Sequence, residues 1–291
     1  MYIIKIKNCD LDQIADSGQC FRWMKTGEYT YKIPVADRTV EVTQREEEFT
    51  FSCDESEFNE IWREYFDIDT DYEELIRAID AEDDFLRQAA TYAGGIRILK
   101  QDLWEVMLSF LISQNNNIPR IKKNIEALCK NYEVQGDSIS DRENCSDTEI
   151  GYDTRSCVIP GWRHIYDGGK ENLLDLKLGY RAEYIYGVCE YLEEKPNFLE
   201  DLQKADQEKA MQLLLGLKGV GKKVASCICL FGLHQLGACP VDTWIQKIID
   251  EDYHGTMPKW MTGRYAGIYQ QYAFYYKREK DMRISSKYDK R

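Results

Sequence analysis

The alternation that marks half-buried strands stops at Cys53, and helical spacing takes over for the rest of the chain. Before that point "YIIKIK", "CFRWM", "YTYKI", "TVEVTQ" and "FTFSC" are rich in β-branched and aromatic residues, with turns at "KTGE" and "ADR". This is the pattern of an antiparallel sheet. After it, "SEFNEIWREYF", "DYEELIRAI", "EDDFLRQAATYA", "LWEVMLSFLISQ" and "IPRIKKNIEALCKNY" space their apolar residues three and four apart, and "GYRAEYIYGVCEYLEE", "DQEKAMQLLLGL" and "GRYAGIYQQYAFYYKREK" do so later. The expected fold class is α+β: an N-terminal antiparallel β domain over 1–80 and a mostly α-helical region over 81–291. With 291 residues and 43% hydrophobic content the chain can bury two cores.

Charge and cysteine usage narrow the function classes. The formal net charge is -13, so the overall balance does not advertise a polyanionic partner, and any nucleic-acid surface must be local. The opening "MYIIKIKNCDLDQIADSGQ" has no basic stretch followed by a sustained apolar core, and no later run reaches membrane-spanning length. A soluble intracellular protein with no membrane partner is expected. Ten cysteines, none in a Cys-x-x-Cys pair, accompany three histidines, so reduced buried thiols are expected rather than a metal site. Residues 131–170 are polar and poorly periodic, which predicts a long surface excursion carrying no chemistry.

One stretch combines several unusual features. "AMQLLLGLKGVGKKVASCICLF" reads as helix, tight Gly-Val-Gly turn, helix, spanning about 205–232. Gly219 and Gly221 allow backbone geometries that a Cβ would oppose, and amides at the start of the second helix can point at a phosphate. Lys223 falls in the first turn of that helix. The positive end of the helix dipole and the neighbouring Lys222 both disfavour its ammonium form, which exposes a nucleophilic amine. Asp242, following Pro240, fits an N-cap before "TWIQKII". Taken alone, the turn reads as well as a plain helix-helix connection, the lysines as solvated helix-end charges, and Asp242 as an ordinary cap.

Together, "LKGVGKKVA" and the following "PVD" resemble the helix-hairpin-helix-Gly-Pro-Asp superfamily of DNA base-excision glycosylases. "SGQCFRW" at 17–23, "LISQNNNIPRI" at 111–121, "LGYRAEY" at 178–184 and "YAGIYQQYAF" at 265–274 occur in the order of the 8-oxoguanine DNA glycosylase/lyase family and narrow the resemblance to it. The resemblance covers nearly the whole chain and weakens across 131–170.

The resemblance implies a bifunctional enzyme acting on double-stranded DNA that contains 8-oxoguanine. Lys223 matches its nucleophile and Asp242 the assisting carboxylate. The extruded base would lie in a pocket formed by Gly18, Cys227, Gln270 and Phe274. Because 8-oxoguanine carries a proton on N7 where guanine has a lone pair, a single acceptor separates the two, and by resemblance that acceptor is the Gly18 carbonyl. Asn115 would fill the gap left by the base, Arg120 and Arg181 would donate to the orphaned cytosine, and Tyr180 would wedge beside it. Gly219, Val220, Gly221 and Trp244 would meet the DNA backbone. Trp244 is a departure, standing where the eukaryotic pattern has a phosphate-contacting histidine. No metal or other cofactor is expected, and the protein is expected to be a monomer, nucleoid-associated in the cytoplasm if prokaryotic. The alternatives are a noncatalytic helix-hairpin-helix DNA-binding module and a superfamily glycosylase for another damaged base. The iron–sulfur members carry a C-terminal cysteine cluster, whereas no cysteine follows Cys239 here.

Overall fold

A computed structural model describes residues 1–133 and 158–288. Strands β1 (Tyr2–Lys5), β2 (Met24–Gly27), β3 (Thr30–Val35), β4 (Arg38–Arg45) and β5 (Glu48–Phe51) form one antiparallel sheet in the order β1-β5-β4-β3-β2. Period-two burial sets the register: Ile33 faces Val40 and Val42 faces Phe51, all four fully buried.

Helix α1 (Leu11–Asp16) interrupts the strands. Asp10 caps it by accepting from the Gln13 amide at 2.9 Å, and Leu11, Ile14 and Ala15 turn into the sheet core. The expected strand "CFRWM" pairs only from Met24 onward. Tertiary bonds pull Gln19–Trp23 away from the ladder: the Gln19 side chain binds the Leu99 amide and Arg97 carbonyl, each at 2.9 Å, and Arg22 pairs with Glu105 at 2.7 Å. Phe21 thus reaches the helical core while Trp23 stays in the sheet core.

The helical part begins with α2 (Glu55–Glu57) and α3 (Arg63–Tyr65), joined through a π turn at Phe58–Trp62, then α4 (Tyr72–Arg77), α5 (Asp84–Ala93), α6 (Leu103–Ser113) and α7 (Ile118–Glu133). It continues with α8 (Trp162–Asp175), α9 (Arg181–Glu194), α10 (Phe198–Lys204), α11 (Gln207–Leu215), α12 (Lys222–Phe231), α13 (Thr243–Glu251) and α14 (Ala266–Tyr288). The expected excursion over 131–170 lies partly outside the described residues, and its described ends are helical, which corrects that expectation for α7 and α8.

Two apolar clusters divide the molecule, one behind the sheet and one among the helices. Tyr72, Leu75 and Ile79, numbered within the first expected domain, pack in the helical core, and Leu99 packs in the sheet core. Arg97 rivets the two together. It is 2% exposed, donates to the carbonyls of Lys7 at 3.2 Å, Phe66 at 3.0 Å and Thr70 at 3.0 Å, and lies 4.1 Å above the Tyr72 ring. No helix among the described residues is long and apolar enough to cross a membrane.

Candidate active site

The turn between α11 and α12 closes with the Val220 amide donating to the Leu217 carbonyl at 3.2 Å. Gly219 is required twice over: its φ is +84°, and a Cβ there would lie 2.3 Å from the Tyr184 ring. Gly221 is the N-cap of α12 and supplies no capping side chain, so the first-turn amides of that helix keep their capacity for an anion. Of the three hairpin residues expected at DNA, Val220 turns its side chain into the core and spends its amide internally. Gly221 is exposed and Gly219 half-buried.

The two lysines diverge at once. Lys222 is exposed, whereas Lys223 is half-buried with Nζ 5.2 Å above the Phe110 ring. Cys227 follows one turn further along α12. Burial pushes the Cys227 thiol up to about 11; Lys223 pulls it down and Asp242 pushes it up, so all three groups share one electrostatic neighbourhood. At neutral pH Cys227 is a neutral thiol. Asp242 caps α13, its Oδ1 accepting from the amides of Trp244 at 3.0 Å and Ile245 at 2.9 Å. Its Oδ2 is not used by the cap.

On α14, Gln270 and Phe274 stand one turn apart, Gln270 buried at 3% exposure and Phe274 half-buried. The Gln271 side-chain Nε2 donates to the Gln270 side-chain Oε1 at 2.9 Å. Gly18 follows α1 with φ +78°, and a Cβ there would meet nothing within 4 Å. Glycine is therefore demanded by backbone conformation at a position facing open space. Among the described residues, no hydrogen bond is formed to the Gly18 carbonyl.

The "NNN" cluster splits by role. Asn117 caps α7 through the Arg120 amide at 3.0 Å, and Asn116 donates to the Ile112 carbonyl at 3.1 Å. Asn115 is exposed, with φ 51°. Arg181 holds it there. That guanidinium, 5% exposed, donates through Nε to the Gln114 carbonyl at 2.8 Å, through Nη2 to the Asn115 carbonyl at 2.8 Å and through Nη1 to the Leu178 carbonyl at 3.3 Å. Tyr180, 46% exposed, donates to the same Gln114 carbonyl at 3.2 Å and packs edge-on to Tyr184, the ring beneath Gly219. A continuous contact path therefore runs from Asn115 to the hairpin. Arg120 stands apart from it, exposed.

Comparison with known proteins places the chain in a family. A sequence profile described as the N-terminal domain of 8-oxoguanine DNA glycosylase matches residues 1–107. The crystal structure of the Clostridium acetobutylicum 8-oxoguanine glycosylase/lyase in its apo form is 30% identical and superposes with a TM-score of 0.80, covering 94% of this chain and 95% of that one. The chain belongs to the 8-oxoguanine DNA glycosylase/lyase family. The same clostridial enzyme, in complex with double-stranded DNA containing cytosine opposite 8-oxoguanine, gives a TM-score of 0.81 at 29% identity, covering 97% of this chain and 99% of that one. The N-glycosylase/DNA lyase OGG1 of Arabidopsis thaliana is 31% identical over 242 residues, 80% of this chain. This chain spans 63% of that protein's length.

In this family member, Trp244 is half-buried with the Lys247 ammonium 5.7 Å from its ring. A tryptophan at this position comes with a cation on its face, one turn further along α13. Sequence reasoning passed over Phe110, because a phenylalanine in an apolar helix is indistinguishable from core packing. It also passed over the use of Arg181 as a main-chain clamp, which no local pattern encodes.

Proposed function

We propose that this chain is a bifunctional DNA glycosylase and abasic-site lyase that excises 8-oxoguanine from duplex DNA, preferentially opposite cytosine. The observation that carries the reading is the seat of Lys223: half-buried in the first turn of α12 with its amine over the Phe110 ring, and with Asp242 in the same electrostatic neighbourhood. In its neutral form the Lys223 amine attacks C1′ of the damaged nucleotide. The C1′–N9 bond breaks and its electron pair leaves with the base, which takes up a proton. Asp242 Oδ2 stabilises the positive charge that develops on the sugar. Loss of one amine proton, with a proton taken up by O4′ as the sugar ring opens, gives a protonated Schiff base at C1′. That iminium acidifies the C2′ proton, and its removal expels the 3′ phosphate by β-elimination, nicking the strand.

Substrate reading rests on the unused Gly18 carbonyl, which would accept the N7 proton of 8-oxoguanine and repel the lone pair of guanine. Gln270 would bond the Watson–Crick edge, with Phe274 and Cys227 closing the two faces of the base. Asn115 would fill the vacated space, with Tyr180 as the wedge. The exposed Arg120 is free to donate to the N3 and O2 acceptors of the widowed cytosine, whereas Arg181 must release main-chain carbonyls to do so. Gly219, Gly221 and Trp244 would line the DNA backbone.

The test is single-turnover excision from duplexes carrying 8-oxoguanine opposite each of the four bases. Cytosine should be favoured over adenine by at least about tenfold, the equivalent of roughly 1.4 kcal/mol for one lost contact. Arg120→Ala should flatten that preference more than it slows excision opposite cytosine. Equal rates opposite all four bases would remove the cytosine-reading role.

A further inference from the structure

Helix α1 ends two residues before Gly18 and carries no basic residue in its last turn. A helix C-terminus leaves carbonyls unsatisfied and favours a cation. The Ile14 carbonyl is satisfied locally by the Ser17 amide at 3.2 Å and the Ser17 hydroxyl at 2.8 Å. The Asp16 carbonyl is satisfied from the opposite end of the chain: Arg278 Nη1 donates to it at 2.7 Å. Arg278 lies on α14 one turn beyond Phe274 and two beyond Gln270, so the three share one stripe of that helix. The guanidinium is 7% exposed and lies 5.4 Å from the Phe274 ring centroid and 5.2 Å from that of Tyr275. Nη2 contacts Glu279 at 3.3 Å, while Nε is buried with no partner.

We propose that Arg278 is a positioning residue for damage recognition, locking the turn that presents the Gly18 carbonyl to the helix that presents Gln270 and Phe274. The inference rests on the reading of those residues as the base pocket. Ser17 is already pinned by its bonds to Ile14 and by the Gln19 side-chain Nε2, which donates to its hydroxyl at 2.9 Å, so a shift at Asp16 passes to Gly18 through one rigid residue. Discrimination of 8-oxoguanine from guanine by one proton requires that carbonyl to be placed within a few tenths of an ångström, because hydrogen bonds weaken steeply off their preferred geometry. The buried guanidinium supplies that placement. It spans from the Asp16 carbonyl to the face of Phe274 and has little freedom of its own.

Two activities of the protein separate this role from plain stabilisation. Excision of 8-oxoguanine needs the base to be read, whereas nicking of a preformed abasic site does not. Arg278→Met should slow single-turnover excision about tenfold more than it slows abasic-site nicking. Arg278→Lys, which keeps a cationic donor, should recover most of that loss. Should Arg278→Met fail to fold, Arg278→Gln carries the same comparison. Equal losses in the two activities, or no loss in either, would overturn the inference. Gln270→Ala tests the pocket independently by its effect on excision. If it slows excision while the Arg278 variants do not separate the two activities, only the role of Arg278 falls; if it leaves excision intact, the pocket reading itself falls.

Discussion

Asp242 divides two tasks between two oxygens: Oδ1 caps α13 through two amides, and the proposed chemistry uses Oδ2. Asparagine caps a helix as well as aspartate does, so Asp242→Asn separates the tasks. Thermal stability should change by no more than about 0.5 kcal/mol, while single-turnover base release should slow by about 10²–10³. Near-normal excision would leave Asp242 as a cap only. The positions of Lys223 and Asp242 were legible in the sequence, because a glycine hairpin and a Pro-Val-Asp turn restrict the backbone wherever they occur. Their surroundings were not. Phe110 lies five residues before Asn115 in an apolar run, and only the fold brings its ring beneath Lys223 Nζ. Arg181 was read as a donor to cytosine, and the sequence gives no sign that main-chain carbonyls occupy its guanidinium.

The hairpin between α11 and α12 is fitted to α9 at one atom's precision. Gly219→Ala would add a Cβ at positive φ against the Tyr184 ring and should destabilise the protein by about 2–3 kcal/mol. In a Tyr184→Leu background the same change should cost less, and thermal denaturation of the double-mutant cycle measures the difference. An identical cost in both backgrounds would show that the ring contact does not matter. The long helices were legible where an apolar period persists over several turns, as in α7, whose Ile121, Ile125 and Leu128 are buried at spacings of four and three. The short and broken ones were not. Helix α1 has six residues, and α8 is interrupted at Gly169, where φ is 77°. The strand reading of "CFRWM" failed because β-propensity lost to Gln19 and Arg22, whose partners lie about eighty residues away.

Across the whole molecule, α12 carries Lys223 at one end, and just past its other end His234 reaches the buried Asp67 carboxylate at 3.4 Å. Burial would raise the Asp67 carboxyl, but hydrogen bonds from His234, Thr70 and Tyr72, together with the His234 charge, hold it below the usual carboxylate range. A carboxyl held low in the fold contributes stability that is present above its unfolded value and lost as pH falls through its folded one. Asp67→Asn should therefore lower stability at neutral pH and reduce the fall in Tm between about pH 7 and about pH 3. An unchanged acid profile would mean that the Asp67 carboxyl is not held low in the fold. At this scale the sequence already showed strands before helices, but not that Arg97 and Asp67 join them, since neither belongs to a periodic face. The sheet-borne turn at Gly18, the hairpin and α14 meet in one molecule for one proposed act, the attack of Lys223 on the sugar of a damaged nucleotide. Borohydride reduction during reaction with an 8-oxoguanine duplex tests it most directly. A covalent protein–DNA complex should form with the unaltered protein and with Lys222→Gln, and be absent with Lys223→Gln. Trapping that persists in Lys223→Gln and vanishes in Lys222→Gln would contradict the assignment.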